Sequence, residues 1–234
     1  PLLYDAIINN VGVTSLDFLV GAAGLGDAQG QLLPFIISAI TTPSDVSTCR
    51  SAITCFSDLL LIIGDTVTDP VQKQNCLSQI IHYRDRLMSS IFESLRSSDV
   101  PRDIKPDLFT CISCMFWELS DYCLVLVPAC IQVSMGAAAY PVEELVSDDD
   151  WEWADRLFCS VVELWDSLYN AVPRNDPPIR ESFSDMLQFA GHSAMNERSS
   201  LQLIKSTVLM IRDLAVSLGP ESCSMVGMWG VCEE

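Results

Sequence analysis

The sequence predicts an all-α fold, an alpha-solenoid of stacked HEAT-type antiparallel helix pairs, and three observations carry that prediction. Apolar residues recur at spacings of three and four through most of the chain. Runs of strict two-residue alternation, and hairpin turns between strand-like runs, are missing. An acidic-then-apolar pattern returns at intervals of 45 to 60 residues, which fit the 40 to 47 residues of HEAT and armadillo repeats with longer loops between repeats.

The elements follow in chain order. Residues 2–8, 15–25 and 31–40 are the weaker helical candidates, and the glycine-rich stretch Gly21 to Gly26 reads as a loop or a site of tight helix packing. It lacks the strand that a dinucleotide fingerprint requires before it. Residues 46–64 carry the stripe Val46, Cys49, Ile53, Phe56, Leu60 and Ile63, with Ser44 as N-cap. Residues 79–95 carry Ile80, Tyr83, Leu87, Ile91 and Leu95, with Arg84, Asp85, Ser89 and Glu93 on the opposite face. Further helices are expected at 104–119, 124–135, 149–170, 179–194 and 200–218, the last stopped by Gly219-Pro220. The longest loops are expected at 65–74, 137–147 and 172–178.

The helices read as pairs. The first member of each carries a related pattern around Asp58, Glu118, Glu163 and Asp213, which stand 60, 45 and 50 residues apart. One pair cannot bury its apolar face alone, but stacking buries a continuous core. The expected domain organisation is a single array over 1–234 of about four to five pairs, with a generic helical bundle as the structural alternative.

Composition narrows the function. Of 234 residues, 49% are apolar, so a large core is available, while 31 Asp and Glu against 13 Lys and Arg leave a formal charge of −18. That field repels phosphate backbones and anionic membrane surfaces and attracts basic segments. Acidity also keeps an apolar-rich protein soluble, and that alternative stands beside the first. No signal peptide is visible, and the ten cysteines read as reduced core thiols of a cytosolic or nuclear protein. The uncharged run 122–142 is interrupted by Pro128, Gln132, Ser134 and Gly136 and followed by acids, so it reads as a buried helix and not a membrane span.

Ile81-His82-Tyr83-Arg84-Asp85-Arg86-Leu87-Met88, then Glu93-Ser94-Leu95, then Val100-Pro101-Arg102-Asp103-Ile104-Lys105-Pro106 resemble the C-terminal HEAT repeats of the importin beta (karyopherin-beta) family. There a helix with a Leu-rich end is followed by a Val-x-Arg-x-Val-Lys-Pro segment that opens the next repeat. The likeness extends over roughly 32–220. The chain departs from it at the glycine-rich start and over 222–234. The resemblance implies a C-terminal segment of a longer, non-enzymatic nuclear import receptor of cytoplasm, nucleus and nuclear pore. Its inner helices would grip the basic importin-beta-binding region of importin alpha or a basic cargo, and its outer clefts would take Phe-Gly nucleoporins. Ran-GTP would act mainly through repeats outside this chain. Another HEAT-repeat interaction scaffold, such as an exportin-like receptor or a phosphatase or cytoskeletal regulator, is the alternative.

Two sets of site residues follow. For basic-segment binding they are Asp85, Glu93, Glu181 and Asp185 on second helices, together with Asp148, Asp149, Asp150, Trp151, Glu152 and Trp153. Carboxylates and tryptophans suit a basic helix through charge pairing and cation–π contact. The same run also reads as a helix start, with Ser147 as cap and acids favoured by the dipole. For the nucleoporin pocket the set is Phe56, Phe109, Phe116, Trp117 and Trp165 on first helices, aromatics that equally suit a core between repeats. No cofactor or metal is expected. Cys111 and Cys114 have zinc spacing but lie inside a helical pattern without a second ligand pair. The acidic run lacks the central Gly and terminal Glu of a calcium loop. Neither His82 nor His192 sits in a nucleophile or metal motif.

Overall fold

The computed structural model describes residues 32–41, 45–66, 68–172 and 177–218. The candidates at 2–8 and 15–25, the glycine cluster, Ser44 and the chain beyond Leu218 lie outside these residues. The described elements are helical, with no strand among them. They are α1 (Leu32–Thr41), α2 (Val46–Thr66), α3 (Pro70–Arg96), α4 (Lys105–Cys123), α5 (Val127–Ala138), α6 (Asp148–Ala171), α7 (Pro177–Ala194) and α8 (Leu201–Leu218). Short 3-10 turns lie at Arg102–Ile104, Leu124–Leu126 and Val142–Glu144.

Local chemistry sets the helix starts. Asp45 caps α2 by accepting the Thr48 N–H at 2.7 Å. The expected loop at 65–74 is far shorter, because Asp69 accepts the Val71 N–H at 2.8 Å and Pro70 takes the first helical position of α3. Ser147 caps α6 in a reciprocal box with Asp150. Ser200 caps α8 by accepting the Leu203 N–H at 3.1 Å.

The chain divides into two compact units, Pro1–Leu119 and Ser120–Glu234. In the first, α1 packs on α2 and α3, and α2 packs on α3 and on the 3-10 turn that opens α4. Ile36, Ile37 and Ile40 of α1, Cys49, Phe56, Leu60 and Ile63 of α2, and Ile80, Leu87 and Ile91 of α3 are buried. First helices meet as well. Arg50 of α2 pairs with Asp107 of α4 at 2.9 Å, and Gly64 of α2 lies against the Glu118 side chain of α4. Residue numbers rise together along both helices, so the first helices run parallel.

The second unit repeats the scheme. Trp165 of α6 donates its indole N–H to Ser134 of α5 at 2.8 Å, and Trp153 stands edge-on to Tyr140 just beyond α5. Numbers fall on one side as they rise on the other, so α5 and α6 are antiparallel. Between α6 and α8, Asp155 meets Ser200 and Cys159 meets Ser206, a parallel register with separations of 45 and 47 residues. Second helices α5 and α7 also pack on each other. Antiparallel neighbours with parallel next-neighbours are the packing rule of a helix-pair repeat, and the separations suit HEAT-length repeats.

The apolar run Arg102–Ala138 passes a membrane test by length and composition alone. It is not one span. Leu119 leaves the helical conformation at φ −123° and ψ 24°, a 3-10 turn intervenes, and α5 is only 12 residues long, short of the roughly 20 a bilayer crossing needs. Its side chains Leu108, Phe109, Ile112, Met115, Phe116, Cys123 and Cys130 are buried in protein.

Candidate functional site

The acidic start of α6 is held in place by its own cap. The Ser147 N–H and Oγ both donate to Asp150 Oδ2, at 3.0 and 2.6 Å, and the Asp150 N–H donates to Ser147 Oγ at 3.1 Å. Asp150 is therefore engaged in capping the start of the helix. Asp148, Asp149 and Glu152 are exposed. The two tryptophans separate, because residues two apart on a helix lie on nearly opposite faces. Trp153 is 5% exposed and packed against Tyr140, so it belongs to the core and not to a binding surface. Trp151 is half-buried and faces a cleft.

That cleft, about 180 Å³ in volume, lies between the start of α6, the end of α7 and the turn leading into α8. Trp151, Phe158 and Leu203 give it apolar walls, and Asp155, His192 and Arg198 line it as well. Its rim is tied down. Asp155 Oδ1 accepts the Ser200 N–H at 2.8 Å, Asn196 Oδ1 accepts the Arg198 N–H at 2.9 Å, and Ser199 Oγ donates to the Ser193 carbonyl. His192 Nδ1 lies 2.9 Å from the Gln188 carbonyl, which can only accept, so that nitrogen carries the proton. The Arg198 guanidinium lies 5.3 Å from the Trp151 ring centroid, and its Nη1 lies 3.5 Å from Asp148 Oδ1.

The other acids of the basic-segment set stand on second helices. Asp85 is exposed on α3, where Arg84 donates to it at 2.7 Å and lowers its pKa. Glu93 is exposed on the same helix and Asp185 on α7. Glu181 lies in α7, and its side chain is outside the described residues. These acids fall in two different units.

The aromatic set divides sharply. Phe56, Phe109, Phe116 and Trp165 are buried, each at most 2% exposed. They fill the core, and an incoming Phe ring could reach them only by displacing it, so the open pocket expected of these four is not present. Trp117 is 52% exposed.

Along α6 and α8 runs a second polar feature, built around two acids of the repeated pattern, Glu163 and Asp213. Glu163 accepts from Ser206 Oγ at 3.1 Å, from Cys159 Sγ at 3.4 Å and from Gln202 at 3.4 Å. One turn further, Asp166 is pushed up to about 6, first by burial and then by the nearby charge of Asp213, with Arg212 opposing. Burial raises the thiols too, Cys49 and Cys55 to about 11 and Cys159 to about 12, which leaves them protonated and unreactive at neutral pH. Among the described residues no group of three or more His, Cys, Asp or Glu is placed to hold a metal.

A search of curated proteins gives no match. The model of the family described as importin subunit beta-1-like, TPR repeats, matches residues 29–226. With parallel first helices, antiparallel neighbours and this match over most of its length, the chain belongs to the importin subunit beta-1-like repeat family, a non-enzymatic transport and scaffold family.

Proposed function

We propose that the chain is a segment of a nuclear import receptor that binds a basic protein segment, of the importin-alpha type or a basic cargo, on its acidic helices. The observation that carries this reading is the surplus of carboxylates left at the surface. Asp85, Glu93, Asp148, Asp149, Glu152 and Asp185 are all exposed, in a family of transport repeats. A surface of one sign steers the opposite sign and holds it in a salt-dependent way. Exposed Trp117 is the one aromatic of the nucleoporin set that fits a surface contact with Phe-Gly segments. The whole receptor would work between cytoplasm and nucleus, with Ran-GTP acting through other repeats, and this chain would form one continuous array within it.

Titration of a labelled, Arg- and Lys-rich helical peptide tests the reading. Binding is expected at 50 mM salt, weakening several-fold at 300 mM, and lost when Asp85, Glu93, Glu181 and Asp185 are changed together to Ser. Binding that survives both changes would remove the acidic helices from the contact.

A further inference from the structure

We infer that the cleft at the start of α6 is a guanidinium clamp, and that Arg198 is its built-in competitor, displaced when a partner's arginine takes the place over Trp151. The inference rests on the reading that this acidic protein takes basic segments, and it names the side chain that one site selects.

The clamp is assembled from an indole and a carboxylate that meet one guanidinium. Trp151 presents its ring to the cleft, and Asp148, one turn earlier and fully exposed, meets the same guanidinium that lies over that ring. A planar cation is satisfied by both at once, through its face on the ring and its N–H groups on the carboxylate. Lysine offers a compact ammonium with no face to stack, so the site discriminates between the two basic residues. Phe158 and Leu203 supply apolar wall for the methylenes of an arginine side chain.

The present occupant shows what the clamp prefers and how loosely it is kept. Arg198 meets ring and carboxylate together, yet its side chain is 55% exposed and the carboxylate it meets is fully exposed. Contacts of that kind in water are weak. The turn carrying Arg198 is held by other atoms: Asn196 on the Arg198 N–H, Asp155 on the Ser200 N–H and Ser199 on the Ser193 carbonyl. Only side-chain rotations are needed for the guanidinium to leave, and the backbone stays where it is. An internal ligand that fills a site most of the time weakens an external one by the fraction of time the site is empty. Its removal should therefore tighten binding by about three- to ten-fold.

The probe is a pair of 12-residue helical peptides identical except that every basic position is arginine in one and lysine in the other. Each is titrated into the wild-type chain, Arg198→Ala and Lys205→Ala. Lys205 is exposed on α8, does not line the cleft and removes the same charge, so it measures the general electrostatic gain. Arg198→Ala should tighten the arginine peptide several-fold more than Lys205→Ala does, and the lysine peptide no more than Lys205→Ala does. Trp151→Leu should erase the difference between the two peptides, with a thermal melt checking that the fold is kept. Equal gains from Arg198→Ala and Lys205→Ala with both peptides would overturn the clamp while leaving the basic-segment reading intact. Failure of both peptides to bind any variant would overturn that reading and the clamp with it.

Discussion

Along the α2–α4 contact a charged pair spans the two first helices, whereas along α6–α8 a cysteine and a serine meet directly, with Glu163 and Gln202 beside them. Arg50 spans to Asp107 and to the Asp103 carbonyl, and Glu118 reaches back over Gly64. Between α6 and α8 the opposed residues are Cys159 and Ser206, 3.5 Å apart, and the backbones approach closely. Opposite charges meet at the first contact. At the second, like charges act on each other, since the charge of Asp213 raises Asp166 while Arg212, paired with Asp213 at 2.6 Å, gives partial relief. A repeat fixes which helices stack and in which direction but leaves the chemistry of each junction open. One junction is a strut between charged side chains, and the other is a close seam that carries unbalanced acid.

The largest effect is expected on the apolar side of α6. Trp165 is 2% exposed, hydrogen-bonded to Ser134 and edge-on to Phe189 at 5.5 Å. Trp165→Ala should cost about 3–5 kcal/mol in denaturant unfolding, as large-to-small changes of buried aromatics do. Neither Ser134 nor Phe189 titrates, so the loss should be the same at pH 5 and pH 7.5. A loss that changed with pH would mean that the acidic seam and the apolar face of α6 are coupled.

A smaller effect should come from the seam itself. Asp166 titrates at about 6 in the folded chain against an ordinary 3.8. Above pH 6 it is charged in both states, and its burial beside Asp213 counts fully against the fold. As pH falls from 6 toward 3.8, the folded state takes up a proton that the unfolded state does not, and stability rises. Asp166→Asn removes that burden. It should stabilise by about 1 kcal/mol at pH 7.5, once the partial exposure of the group is allowed for. The gain should vanish near pH 4, which paired thermal melts of the two proteins would show. An equal gain at both pH values would put the benefit in the amide's hydrogen bonds and not in charge.

Much of this architecture is legible in the sequence, because apolar spacing reports a buried face whatever that face touches. The stripes of α2, α3, α6 and α8 are of this kind, and the box of Ser147 and Asp150 is a local signal that survives folding. The stretch 70–78 was harder to read. Val71, Gln74 and Asn75 are exposed, so α3 begins with a turn that carries no apolar stripe and is fixed by Asp69 and Pro70 instead. The candidate site was legible only in part. Spacing alone puts Trp151 and Trp153 on opposite faces, but which of them is core depends on Tyr140 arriving from the α5 side. Arg198 meets Trp151 from a different helix connection, with nothing in the local sequence to announce it. For Phe56, Phe109, Phe116 and Trp165, an apolar stripe looks the same whether its partner is a neighbouring helix or an incoming peptide. Burial decided that question.

The finest test sharpens the strut on the α2–α4 side. Gly64 lies inside α2, where glycine costs roughly 0.5–1 kcal/mol relative to alanine. A Cβ there would meet the Glu118 carboxylate, the far end of a flexible side chain, so alanine is admitted only if that carboxylate swings away. Two effects of similar size then oppose each other, and Gly64→Ala alone should change stability little. With Glu118→Ala in place the obstruction is gone, and the same substitution should stabilise by nearly the full helix-propensity gain. A double-mutant cycle should therefore show a coupling of about 0.5–1 kcal/mol between the two positions. The contact of Lys73 Nζ with the Gly64 carbonyl, at 2.7 Å, is made by the backbone and should be common to all four proteins. If Gly64→Ala stabilised equally in both backgrounds, Glu118 would not be resting on that glycine. The junction would then depend on Arg50 and its two acceptors, and substituting Arg50 should loosen it more than any change at Glu118.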